Sequence, residues 1–335
     1  MTEESSRSAY WRRLILITGH RRSGTTWLNA VLGHAKEAAY MRYEALMVKR
    51  HPLSPAAELV QQWRRLERWY VGWDQDDQPN RQQYSAALKT HLEWLVDHYF
   101  GGPVDTLLIK DPYCGRLPFL LQAIQPDDVL YVQRHPLGIV NSYDKGNLYE
   151  QWSLARDWNW FLRDIKILMP QIALHAAEFK HPVERVALMA HVSNQLQETF
   201  LKEEHHRVVN YELLGTQPEI EFANLWSWLG WQWDEGVWKN IKPIVKPEPK
   251  AVVETFFSVT KVSEDRASGW RRELAPHLIN RVKRRFDQIG AKYPLPGDGL
   301  PAQTAQERAA ARRMYRQRRR AYLNQWGIGS VIRSL

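Results

Sequence analysis

Residues 14–32, LILITGHRRSGTTWLNAVL, constrain the fold more than any other stretch of the chain. The apolar, β-branched run Leu14-Ile15-Leu16-Ile17 reads as a buried strand. Trp27 and Leu28, followed one turn later by Val31 and Leu32, read as the opening of an apolar helix. Between them lies Gly19-His20-Arg21-Arg22-Ser23-Gly24-Thr25-Thr26. A strand that turns through glycines into a helix aims backbone N–H groups and the positive end of a helix dipole at one place. That place suits a phosphate. A plain glycine turn is the alternative, and two Arg and three hydroxyls around one Gly argue against it.

The spacing nearly fits the nucleotide loop GxxxxGK[ST]. Gly19, Gly24 and Thr26 match, but Thr25 stands where that pattern places Lys. The missing Lys normally reaches the β- and γ-phosphates of a nucleoside triphosphate. Here the positive charge has moved upstream, to Arg21 and Arg22. The loop therefore expects an anion other than ATP, and a kinase or NTPase with a degenerate loop is the runner-up.

Taken in order, the chain predicts strands at 14–18, 38–43, 105–109, 128–133 and 207–210. Helices are expected from about 23 to 33, 116–123, 137–143, 151–179 with a break at Pro170, 183–203, 219–229 and 274–289. Residues 56–100 read as a helical insertion able to form a lid over an acceptor, 243–249 as a Pro-rich connector, and 251–272 as irregular. Residues 1–12 read as a loose leader, 13–293 as the main domain, and 294–335 as a linker with a basic helical tail. Apolar strands alternating with helices predict a three-layer α/β/α fold around a central parallel sheet. Ligands in such sheets gather at the carboxyl ends of the strands. Gly19, Glu44, Lys110 and Arg134 each fall at such an end.

In YVQRHPLGIVNSY, Arg134 follows a strand and Ser142 lies eight residues on, inside a helix. An Arg can grip a phosphate with two N–H groups while a Ser hydroxyl adds a third contact. By themselves, a surface Arg and a helix-facing Ser explain the pair as well.

RRSGTTWL resembles the loop that binds the 5′-phosphosulfate in sulfotransferases using 3′-phosphoadenosine 5′-phosphosulfate (PAPS). The resemblance runs from about residue 13 to 290. It implies a PAPS-dependent enzyme with a P-loop-type nucleotide fold, releasing 3′-phosphoadenosine 5′-phosphate (PAP) and requiring no metal. By resemblance, Arg22, Ser23, Gly24, Thr25 and Thr26, with Arg21 beside them, hold the 5′-phosphate and the sulfuryl group. Trp27 matches an aromatic that stacks on adenine. Arg134 and Ser142 match, at the same spacing, the pair that holds the 3′-phosphate. Tyr211, Thr255 and Phe257 resemble residues near the adenine. Arg266 with Gly269 and Trp270 resembles a late basic segment over the 3′-phosphate, although the family usually spaces that Arg differently.

Sulfuryl transfer to an alcohol needs a base for the hydroxyl proton, cations on the transferring oxygens, and in-line alignment. Glu44 is the expected base: family members acting on sugars or tyrosines often carry a Glu after the second strand. Asp111 and His51 are the alternatives. Lys110 is expected to hold the sulfuryl oxygens, and Arg22 to stabilise the leaving phosphate. Five aromatic positions in the insertion, Trp63, Trp69, Trp73, Trp94 and Tyr99, point the acceptor toward a carbohydrate or glycolipid hydroxyl.

Composition narrows the rest. A single cysteine, Cys114, excludes a disulfide framework and a cysteine-rich metal site. The amino-terminal residues lack the apolar core of a signal peptide and no stretch reaches the length of a membrane span, so a cytoplasmic location is expected. The net charge of +9 owes much to residues 302–321, which hold seven Arg and one Glu. That tail is expected to dock an acidic partner or a membrane surface, making the protein peripheral to the membrane, with no specific nucleic acid expected; a nucleic-acid-binding protein acting through the tail is the third reading.

Overall fold

Alternation along the strands builds two cores, one on each face of a sheet. The computed structural model describes residues 8–41, 44–66, 78–146, 148–151, 154–201, 205–246 and 263–291. Its strands are β1 (Trp11–Gly19), β2 (Ala38–Tyr40), β3 (Val104–Asp111), β4 (Asp128–Gln133) and β5 (His206–Asn210). Leu14 and Leu16 of β1, Leu107 and Ile109 of β3, and Val129 and Tyr131 of β4 enter the larger core. Ile15, Ile17, Leu108, Leu130 and Val132, one position out of phase, enter the smaller. A strand buried on both faces must be covered by helices on both faces.

The helices follow in chain order. They are α1 (Thr25–Leu32), α2 (Ala57–Leu66), α3 (Gln78–Phe100), α4 (Leu117–Ala123) and α5 (Pro136–Gly146). Next come α6 (Leu148–Gln151), α7 (Leu154–Leu168), α8 (Pro170–Ala176) and α9 (Pro182–Phe200). After β5 come α10 (Tyr211–Thr216), α11 (Pro218–Trp228), α12 (Glu235–Val245), α13 (Ser263–Glu273) and α14 (Pro276–Gln288). α1, α10, α11 and α12 supply the smaller core through Leu28, Leu214, Phe222, Trp226 and Ile241. α2 to α5, α7, α9 and α14 supply the larger through residues such as Trp63, Leu92, Phe161, Leu188 and Phe286.

The sheet order is β2-β3-β1-β4-β5, and every neighbouring pair is parallel. From β1 the chain crosses to β2 on one side, while from β4 it continues to β5 on the other. The two connections diverge and leave a crevice between the carboxyl ends of β1 and β4, the switch point where such sheets bind ligands. Gly19 pairs there with Val132, and Thr18 with Asp111 of β3, so three strand ends share one rim.

One local expectation holds and two are corrected. The span 151–179 breaks at Pro170, as expected. α7 stops at Leu168, and α8 starts afresh with Pro170 in its first turn, where proline's missing N–H costs nothing. Pro243 does not begin a connector: α12 runs through it to Val245, because Ile241 and Val245 are fully buried and packing outweighs the lost hydrogen bond. The stretch 251–272 is not irregular throughout, since α13 occupies it from Ser263. The expected basic tail lies outside the described residues. Among the described residues, no helix is long and apolar enough to cross a membrane.

Candidate active site

The loop after β1 is shaped by what cannot fit there. A Cβ on Gly19 would fall 2.6 Å from the Val132 carbonyl, so only glycine lets β1 end this close to β4. Gly24 has φ +113°, and a Cβ on it would lie 2.2 Å from the Tyr211 ring. Arg22 takes φ +69°, a left-handed conformation that side chains with a Cβ rarely adopt and that costs on the order of 1–3 kcal/mol. The Ser23 amide donates to the His20 carbonyl at 2.9 Å and closes the turn. α1 begins at Thr25 with no side-chain cap from Gly24, which leaves its first N–H groups for another acceptor. The buried Ser23 Oγ has no hydrogen-bond partner among the described residues.

Across the crevice, the Arg22 side chain leaves the loop and donates through Nε to Ser142 Oγ of α5 at 2.9 Å. Arg134, just past β4, donates through Nη1 to the Arg22 carbonyl at 2.8 Å. Its guanidinium carbon lies 4.4 Å from the centre of the Tyr211 ring. The two expected anion sites therefore form one continuous constellation. Burial, with the Arg134 charge beside it, lowers the Arg22 guanidinium to about 10. The Arg134 Nε is buried with no acceptor among the described residues. Two neighbouring guanidiniums thus meet at the crevice beside two enclosed polar atoms, Ser23 Oγ and Arg134 Nε, that have no partner among the described residues.

Side-chain parity explains the second cluster. Lys110 shares a face of β3 with Leu108, the face that α1 covers, and donates to Thr26 Oγ1 at 2.9 Å. Glu44, four residues beyond β2, lies 3.5 Å from Lys110 Nζ. Their side chains are 5% and 20% exposed, so the carboxylate is the member open to a substrate. Burial lowers the Lys110 pKa, and Glu44 opposes that shift.

The alternative bases are differently placed. Asp111, on the opposite face of β3, accepts from Arg116 Nη1 at 3.1 Å and from the Tyr113 amide at 3.0 Å, with only 3% of its side chain exposed. Its lone pairs are committed to structure. His51 is buried, with Nδ1 3.1 Å from the Tyr99 hydroxyl, and burial lowers its pKa.

Arg21 points away from the loop's anion site. It donates to Asp157 of α7 at 2.8 Å and lies 4.1 Å over the Tyr113 ring. Burial opposes its charge, but Tyr113, Tyr143 and Asp157 outweigh burial and raise its pKa. Trp27 is 3% exposed, edge-on to Tyr211 at 5.5 Å and Phe222 at 5.7 Å, so it has no open ring face to offer adenine. Tyr211 is also buried and packs between Gly24 and Arg134. Thr255 and Phe257 lie outside the described residues, as does the side chain of Arg266. Gly269 is buried in α13, whose Trp270 stacks on His135 at 4.6 Å. Asn141 donates to Glu273 at 2.6 Å, and Lys145 pairs with the same carboxylate, so α13 is tied to α5.

Sequence reasoning missed Asp157, Tyr113, Arg116 and Glu212. Glu212 sits beneath the Arg134 turn, accepting from the His135 amide at 3.1 Å. Burial raises its pKa to about 7, against the pull of Arg134 and that amide. Only its position directly after Tyr211 signalled it.

A family model described as the sulfotransferase family matches residues 15–235. Among solved structures, the chain is similar to the sulfotransferase domain from the Synechococcus PCC 7002 olefin synthase, with 16% identity, 88% of this chain and 100% of that one covered, and a TM-score of 0.46. The sulfotransferase domain from the curacin biosynthetic pathway matches with 15% identity, coverage of 84% and 99%, and a TM-score of 0.43. Sulfotransferase STF9 from Mycobacterium avium matches with 11% identity, coverage of 86% and 78%, and a TM-score of 0.43. A search of curated proteins gives no match. Because the family pattern spans well over half of the 335 residues, this chain belongs to the sulfotransferase family.

Proposed function

We propose that the protein transfers a sulfuryl group from PAPS to a hydroxyl of a carbohydrate-class acceptor. The observation that carries the donor assignment is the joining of Arg22, Ser142 and Arg134 at the β1–β4 crevice. A nucleoside triphosphate enzyme needs one anion cradle, at the loop. A 3′,5′-bisphosphate needs a second beside it, and here the Arg134 guanidinium stands close enough to Arg22 to help lower its pKa, with Arg134 Nε enclosed nearby.

In this reading Ser23, Thr25, Thr26 and the first N–H groups of α1 hold the 5′ end, while Arg134 and Ser142 hold the 3′-phosphate. Bound PAPS supplies the activated sulfuryl group. Arg22 gives up its bond to Ser142 and turns its charge toward the 5′ phosphate. Losing such a donor typically costs about 3–4 kcal/mol of barrier. Glu44 takes the acceptor proton. Lys110, anchored to Thr26 and 3.5 Å from Glu44, holds the base in place and presents charge to the transferring oxygens. Positioning and electrostatics dominate, as in phosphoryl transfer.

The carbohydrate reading rests on the aromatic insertion. Trp63 is fully buried core, and the partly buried Trp94 stacks on both His91 and His98, so the reading rests on the aromatic composition of the insertion rather than on an open ring. The basic tail is proposed to dock an acidic partner or membrane surface.

The test is a comparison of thermal shifts with PAP and with ATP–Mg²⁺, followed by transfer of labelled sulfate from PAPS to a panel of sugars. Stabilisation by PAP alone, with label on a sugar hydroxyl, is expected. Stabilisation by ATP–Mg²⁺ alone would overturn the donor assignment.

A further inference from the structure

The cations on the carboxyl-end rim can be matched with partners one by one. Arg21 pairs with Asp157, Arg116 with Asp111, and Lys110 with Glu44. Arg22 and Arg134 meet at the crevice, where the bisphosphate is proposed to lie. Arg64, near the carboxyl end of α2, is left over. It is half-buried, and its Nε is fully enclosed with no acceptor among the described residues. No carboxylate among the described residues forms an ion pair with it.

Its backbone is tied to Arg116. Arg116 Nη2 donates to the Arg64 carbonyl at 3.4 Å, so the two residues stand side by side. Arg116 also lies 4.2 Å over one side of the Tyr113 ring, while Arg21 lies 4.1 Å from the same ring. Burial and the Arg116 charge lower the Arg64 pKa, and Asp111, Tyr113 and Glu44 oppose them. Arg64 thus belongs to the neighbourhood of Glu44 and Asp111. It does not belong to the donor cradle, because Asp111 and α2 occupy the face of the sheet opposite α1 and Lys110. A guanidinium taken largely out of water without a counter-ion is costly. Arg64 Nε, like Arg134 Nε, is an enclosed donor with no acceptor among the described residues.

We propose that Arg64 is the anion-binding residue of the acceptor subsite, and that the acceptor carries a carboxylate or phosphate in addition to its reacting hydroxyl. Within the carbohydrate class this means a sugar acid or a sugar phosphate. The forked guanidinium takes the oxyanion through paired N–H donors, and the Tyr113 stack forms the adjacent wall. The attacking hydroxyl is thereby turned toward Glu44. This inference rests on the reading of Glu44 as the base.

The test uses the full chain saturated with PAP, whose affinity is measured first by calorimetry. Two matched pairs of sugars are then titrated: p-nitrophenyl β-glucuronide against the glucoside, and glucose 6-phosphate against glucose. The charged member of at least one pair is expected to bind about ten-fold more tightly, and which pair responds tells carboxylate from phosphate. Arg64→Gln is expected to abolish that preference and Arg64→Lys to keep part of it, both with PAP affinity within about two-fold of wild type. Equal binding of charged and neutral sugars, or a preference that survives Arg64→Gln, overturns the proposal. Failure of wild type to bind PAP would overturn the donor assignment instead. The same pairs, run on the protein without PAP, then decide the role of Arg64 by the same criteria.

Discussion

Arg22 Nε donates to Ser142 Oγ at 2.9 Å, joining the loop after β1 to the helix after β4 across 120 residues of sequence. The two proposed phosphate sites are thus linked by one hydrogen bond. On the proposed reading, a bisphosphate entering the crevice would replace that bond with charged ones.

Ser142→Ala is therefore expected to weaken PAP by about 1.5–3 kcal/mol, the worth of a hydrogen bond to a charged group. It should leave 5′-AMP nearly unaffected. Titration calorimetry with both nucleotides checks this, and an equal loss for the two would remove Ser142 from the 3′ site.

Glu44→Gln keeps the shape of the side chain and removes its capacity to accept a proton. PAP affinity is expected to hold, while turnover of any acceptor falls by about 10²–10⁴-fold, the usual share of a general base. Single-turnover sulfate transfer with PAPS is the measurement; turnover near that of wild type would exclude Glu44 as the base.

Glu212 makes stability depend on pH. Burial raises its pKa from 4.5 to about 7 in the fold. Below about pH 4.5 the carboxyl is neutral in both folded and unfolded chains. As pH rises to 7 the unfolded chain releases the proton and the fold retains it, so stability falls across that window. Above 7 the loss is complete, on the order of 3 kcal/mol. Glu212→Gln, which can still accept from the His135 amide, is expected to raise the melting temperature at pH 8 and change it little at pH 5. The same shift at both pH values would show that Glu212 does not carry this titration.

The fold was legible where local pattern decides it. The apolar run 14–17 fixes β1, and 128–133 matches β4 residue for residue. The parallel sheet followed from helices lying between apolar strands. Local pattern fails where packing overrides it, as at Pro243, which two buried side chains hold inside α12. α13 was missed because SEDRASGWRRE offers almost no apolar periodicity, and its place is fixed by contacts such as the Trp270–His135 stack.

The site divides in the same way. Glycines, hydroxyls and Arg at fixed offsets made the loop and Arg134 visible. Which side chain meets which could not be read so directly. Nothing near Arg21 in sequence announces Asp157, 136 residues away, so an Arg expected at the phosphate is engaged elsewhere. Trp27 looked available as an adenine platform because its spacing says helix, not which face of the helix meets the core.

Titration calorimetry of PAP and 5′-AMP on wild type and on Arg134→Ala tests the paired phosphate sites most sharply. Wild type is expected to bind PAP more tightly by at least about ten-fold, and Arg134→Ala to remove most of this preference while AMP affinity barely changes. Equal affinity of wild type for the two nucleotides, or a preference untouched by Arg134→Ala, would contradict that pairing.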